Sequence, residues 1–159
     1  MPFFLLLPLR SKHQNLTDVL GINTKTKESP MYEYTITKVE KVVDGDTLDV
    51  LFDVGFSMFR KERIRLLGID TPETHTTNLE EKKIGMAAKA YAEAWLINQK
   101  TLRAKTTKDD KYGRILAEVY GDNSECLNEK MVVAGYAWKY DGGTKIKDLS
   151  VLIEQQKVQ

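Results

Sequence analysis

Two carboxylates and a guanidinium crowd into nine residues of RIRLLGIDTPE, residues 63–73: Arg65, Asp70 and Glu73. A strand that only fills a core usually ends in neutral turn residues such as Gly, Asn or Ser. Asp46 lies upstream in VVDGDTLDV and Arg114 downstream in DKYGR. With the loop at Gly55–Lys61 read as a hairpin centred near Met58, Asp46 opens one antiparallel strand opposite Asp70 on the next. Like charges so placed repel, and a divalent cation removes the penalty. Carboxylates, carbonyls and water are hard ligands that suit calcium or magnesium better than zinc. Glu73, beyond the stiffening Pro72, stands where a general base or water-orienting group is wanted. The planar donor forks of Arg65 and Arg114 match phosphate oxygens and suit a phosphorane-like transition state. Arg65 and Asp70 are five positions apart, so simple alternation puts them on opposite faces. A bend near Gly68 must bring them together.

The elements that have to position these groups follow from periodicity. YEYTITKVEKVV and TLDVLFDV are β-branched, partly alternating runs on either side of an Asp-Gly turn, which predicts two hairpin strands. ERIRLLGI supplies a third strand, ended by Pro72. Ile84, Ala88, Tyr91 and Trp95 share one face of a helix over residues 84–98. TLRAKTT and RILAEVY read as two further strands around the polar turn KDDKYG. A short helix follows with Asn128 as N-cap and Gly135 as its stop, and a last helix runs from about Ile146 to Lys157. The fold class expected is α+β, mainly β: a five-stranded oligonucleotide-binding (OB-fold) barrel with about three helices.

Composition excludes several alternatives. The 159 residues, 42% hydrophobic, supply one core rather than two, and no run of eighteen apolar residues exists to span a membrane. The net charge is +1, and residues 31–159 carry 20 basic against 21 acidic side chains, so any anion must be held locally. Cys126 stands alone and reads as a small buried hydrophobe. Residues 1–30 read as a disordered arm or an upstream extension, with Met31 as an alternative start and residues 31–159 as the folded domain. MPFFLLLPLR has no positive charge ahead of its apolar stretch, so a cytoplasmic location is favoured over secretion. A monomer without membrane contact is expected. TPETHTTNLEEKK reads as a mobile surface loop with His75 in solvent, and Trp138 and Tyr140 as core or rim aromatics.

Each motif alone is weak, since DGDT is an ordinary hairpin turn and DKYGR an ordinary solvated one. In this order and spacing, however, VVDGDTLDV, RIRLLGIDTPE and DKYGR resemble the motifs of the staphylococcal nuclease, or thermonuclease-like, family over about Tyr34 to Tyr140. The resemblance implies the barrel just described and a calcium-dependent nuclease acting on DNA and RNA, preferring single strands and leaving 3′-phosphorylated ends. It implies one calcium ion held by Asp46, Asp70 and the Thr71 backbone carbonyl. It further implies Glu73 acting on the attacking water, Arg65 and Arg114 gripping the phosphate, and Lys111 and Tyr112 touching a terminal phosphate. Contacts to phosphate and metal alone give little sequence preference. The rival is a non-catalytic nucleic-acid or protein-binding module on the same barrel. On the enzymatic reading, Arg65→Ala and Arg114→Ala each cut turnover and leave the fold intact. Phe52 to Glu62 is longer than in the best-known secreted members, which alters the substrate groove.

Overall fold

The computed structural model describes residues 31–109, 112–145 and 147–157; the expected N-terminal arm lies outside them. The elements are β1 (Tyr32–Asp44), β2 (Thr47–Asp53), β3 (Phe59–Leu66), β4 (Ile69–Asp70), α1 (Leu79–Ile97), β5 (Arg103–Asp109), β6 (Ile115–Tyr120), a 3₁₀ turn (Asp122–Ser124), α2 (Leu127–Val133), β7 (Trp138–Lys139) and α3 (Leu149–Lys157). The five long strands close into a barrel in the order β1-β2-β3-β6-β5, and β4 pairs with β7 as a separate two-stranded ribbon. The described residues adopt the expected OB-fold architecture, a five-stranded barrel with three helices.

Strand alternation builds the core. Leu48, Val50 and Phe52 of β2 point inward with Ile64 and Leu66 of β3, Ala104 of β5, and Ala117 and Val119 of β6. Ala88, Ala92 and Leu96 of α1 are buried in the same cluster, and α1 lies against β1. A smaller cluster of Ile84, Trp138 and Leu152 fastens α1, β7 and α3 together. Trp138 is thus a core aromatic, its indole N–H donating to the Asp148 carbonyl at 3.0 Å.

Several boundaries differ from expectation, each for a local reason. The first helix starts at Leu79, not residue 84, because the Asn78 side chain accepts from the Glu80 and Glu81 N–H groups and the two glutamates suit the positive end of the helix dipole. The Thr-rich segment therefore becomes helix sooner than its composition suggests. Asn128 is not an N-cap. It lies inside α2, buried, accepting from Val119 N at 3.1 Å and donating to the Leu67 and Ala117 carbonyls at 2.8 and 3.1 Å. The last helix begins at Leu149, where Asp148 accepts from the Ser150 N–H and hydroxyl. Gly135 does end α2, with φ of +73°.

The third strand stops at Leu66 rather than continuing to Ile69. Gly68, at φ +77°, adopts a backbone conformation that β-branched residues avoid, and the chain turns there before β4 resumes. Hydrogen bonding holds the turn on both sides: Asn128 on the Leu67 carbonyl, and the Tyr140 N–H on the Gly68 carbonyl at 2.9 Å.

Candidate active site

The turn at Gly68 decides how the acidic groups meet. The β2–β3 ladder pairs Thr47 with Arg65 and Asp53 with Phe59, so the hairpin is centred on Phe56 rather than Met58. Asp46 therefore faces Leu66, whose N–H donates to the Asp46 carbonyl at 2.8 Å, and Asp70 is not its cross-strand partner. Asp70 comes back to Asp46 through the bend instead. Arg65 stands between the two: Nη1 lies 2.6 Å from Asp46 Oδ2, and Nη2 lies 2.7 Å from Asp70 Oδ1. Nη2 also lies 3.3 Å from the Ile69 carbonyl oxygen. The expected repulsion of two aspartates is balanced here by a guanidinium.

This cluster is buried. Asp46 and Asp70 are 4% and 3% exposed. Burial works against the Arg65 charge, yet the two carboxylates outweigh it and raise the guanidinium's pKa above its ordinary value. Asp46 is further held by the Thr47 hydroxyl, which donates to Oδ1 at 2.9 Å, and by the Thr71 N–H, which donates to Oδ2 at 3.1 Å. Thr71, 25 residues away in sequence, is thereby tied to the turn that carries Asp46.

Glu73 is placed by close backbone packing. A Cβ on Gly85 would come within 2.6 Å of the Pro72 carbonyl oxygen and 2.7 Å of that of Glu73, so only glycine lets α1 approach this segment. Glu81, one turn earlier, accepts from the Thr76 hydroxyl at 3.1 Å and from the Glu73 N–H at 3.5 Å. Burial would raise the Glu81 pKa, but Lys147, Thr76 and the Glu73 N–H more than offset it, and it is lowered. The Glu73 carboxylate is half exposed and stands 4.0 Å from Lys147 Nζ, which also holds Glu81 at 3.2 Å. His75 is 87% exposed, as expected of a surface position.

Arg114 precedes β6, which runs parallel to β3 with Ile64 beside Ile115 and Arg65 beside Leu116. That register sets Arg114 next to Arg63. The Arg114 guanidinium lies 5.4 Å from the ring centre of Tyr112, which is itself exposed. Lys111 lies outside the described residues. Asp46, Arg65, Thr71, Glu73, Tyr112 and Arg114 all line one cleft of about 1250 Å³. The structure thus brings the sequence candidates it describes to one place, with Asp70 in its wall through Arg65.

Two lysines were missing from the candidate set. Lys145 Nζ lies 2.7 Å from Asp70 Oδ1 and 5.8 Å from the Tyr140 ring centre, and Lys147 bridges Glu73 and Glu81. Both follow the DGG segment, 75 residues from Asp70 in the first case, and no periodic pattern marks them. The only signal was a pair of basic residues on a Gly-rich loop downstream of the last motif.

The donor chemistry fits a hard divalent cation. Two buried carboxylates converge on one positive group, with a backbone carbonyl beside them, and every donor is oxygen. Among the described residues no third acidic, His or Cys side chain joins them, so carbonyls and water would complete the shell.

The chain also matches known proteins in sequence. The family model described as staphylococcal nuclease homologue matches residues 63–157. An uncharacterized protein of Methanocaldococcus jannaschii is 34% identical over 161 residues, covering 87% of this chain and 75% of its own. The thermonuclease of Staphylococcus intermedius is 40% identical over 62% of this chain and 56% of its own. That of Staphylococcus hyicus is 33% identical over 75% and 72%.

Proposed function

We propose, from the premise that this chain belongs to the staphylococcal nuclease homologue family, that it is a calcium-dependent nuclease hydrolysing phosphodiester bonds in DNA and RNA. The observation that carries the reading is the buried Asp46–Arg65–Asp70 cluster opening on a cleft that Glu73 and Arg114 share. A cleft lined by such groups grips phosphate and leaves bases unread, so little sequence preference is expected.

Asp46, Asp70 and the Thr71 carbonyl would hold the ion. When bound, calcium neutralises the carboxylates and polarises the phosphoryl oxygen. Glu73 orients a water and accepts its proton as oxygen attacks phosphorus. Arg114 and Arg65 donate to the non-bridging oxygens as charge builds on them. Arg65 has donors to offer once its aspartate partners are otherwise neutralised. The bond to the 5′ oxygen breaks, that oxygen takes up a proton, and the phosphate stays on the 3′ end. Tyr112, with Lys111, would contact a terminal phosphate. A single-stranded substrate is expected, since one strand enters the cleft more easily than a duplex.

The test is digestion of single-stranded DNA with calcium and then with chelator. Cleavage that ignores the chelator removes the metal assignment, and no cleavage under either condition favours a binding module. Glu73→Gln should retain affinity for a nucleotide inhibitor and slow cleavage by about 10²- to 10⁴-fold, the usual share of a general base; full activity would remove Glu73 from the mechanism.

Lys145 makes a separate prediction. Its ammonium would compete with the ion for the Asp70 carboxylate, so Lys145→Ala should bind calcium more tightly. The gain is about fivefold, since a partly exposed pair is worth ~1 kcal/mol. Calcium titration by calorimetry measures it, and weaker binding in the variant would make Lys145 a support of the site rather than a competitor.

A further inference from the structure

The cleft continues well past Arg65. The β2–β3 pairing runs from Thr47↔Arg65 to Asp53↔Phe59 without a register shift, so Arg65, Arg63, Lys61 and Phe59 stand in a row on one face of β3. Lys61 and Arg63 line the same cleft as Arg65 and Arg114. The row is roughly 20 Å long. At its far end the hairpin tip holds Phe56, Met58 and Phe59 at 96%, 55% and 57% exposure. Gly55, Phe56 and Ser57 have φ of +84°, +52° and +59°, and positive φ is a genuine outlier for a residue as bulky as Phe56. Phe56, bare to solvent on a strained turn, adds nothing to the core, which points to a role with a partner.

We propose that this row is a binding track for a single nucleic-acid strand whose scissile phosphate lies at Arg65 and Arg114. Arg63 and Lys61 take neighbouring phosphates, while Phe59 and Phe56 stack on unpaired bases. The inference rests on the nuclease reading above. Continuity with the cleft selects the occupant, and stacking selects a single strand, because its bases have faces free for an aromatic ring. Acidic neighbours do not prevent this. Arg63 donates to Asp49 through Nε and Nη2, at 2.6 and 2.8 Å, which occupies two of its five N–H donors. Lys61 pairs with Glu40. Both are surface pairs and weak, and they hold the cations in line while donors remain for phosphate.

The experiment compares kcat/KM on a long thymidine oligonucleotide with kcat/KM on a dinucleotide, which cannot reach the tip. In Phe56→Ser/Phe59→Ser the long-to-short ratio should fall about tenfold or more, the usual effect of losing a stacked base. Lys61→Ala should reduce the salt slope of oligonucleotide binding by about 0.7. A ratio equal to wild type, or both substrates declining in proportion, overturns the track. If the wild type cleaves neither substrate, the nuclease reading fails instead. The track is then judged by anisotropy of a dye-labelled oligonucleotide, and equal affinity in the double variant refutes it. Sedimentation with phosphatidylserine vesicles that the double variant loses, at an unchanged ratio, would assign the tip to membrane and overturn the proposal.

Discussion

Arg65→Ala should lose turnover by about 10³-fold or more and, in chelator, about 3 kcal/mol of stability. Both effects come from one place. The guanidinium is the donor fork aimed at phosphate, and it is also the positive charge directly between Asp46 and Asp70, both almost fully buried. Alanine leaves the buried Asp46 carboxylate without its ion-pair partner and Asp70 with only the partly exposed Lys145 to balance it. The sequence-based expectation of an intact fold therefore does not carry over, because the register and burial make Arg65 structural as well as chemical. Urea unfolding with and without calcium separates the roles. The stability loss should shrink in calcium while the turnover loss stays. Unchanged stability in chelator would show that the carboxylates do not depend on Arg65.

Arg114→Ala should match that loss of turnover, about 10³-fold for a catalytic arginine, with the melting temperature close to wild type. Arg114 lies ahead of β6 and lines the cleft, half-buried, with its guanidinium 5.4 Å from the centre of the exposed Tyr112 ring. Arg114→Lys should not restore the rate, since an ammonium lacks the fork that spans two phosphate oxygens. Steady-state kinetics on single-stranded DNA beside thermal unfolding decides it; a rate near wild type in either variant removes Arg114 from the reaction.

Much of the barrel was legible because its signals are local. Alternation in TLDVLFD, the Asp44–Thr47 turn and the Ile84, Ala88 spacing all report on neighbours a few residues away. What misled the reading was also local chemistry that a period cannot show. Three consecutive residues with positive φ shortened the hairpin loop and moved its centre by two residues, from Met58 to Phe56. Asn128 has the composition of a cap, yet it serves three backbone groups on two other segments.

The sequence by itself determined the residue types of the site and the strands that carry them, because side-chain chemistry and hydrophobic period are properties of short segments. Only the tertiary structure decided which groups touch. The bend at Gly68 turned Asp70 back toward Arg65, packing at Gly85 set Glu73 beside the cleft, and loop closure from 75 residues away delivered Lys145 to Asp70. Contacts across such distances depend on how the whole core closes, and no short segment encodes that.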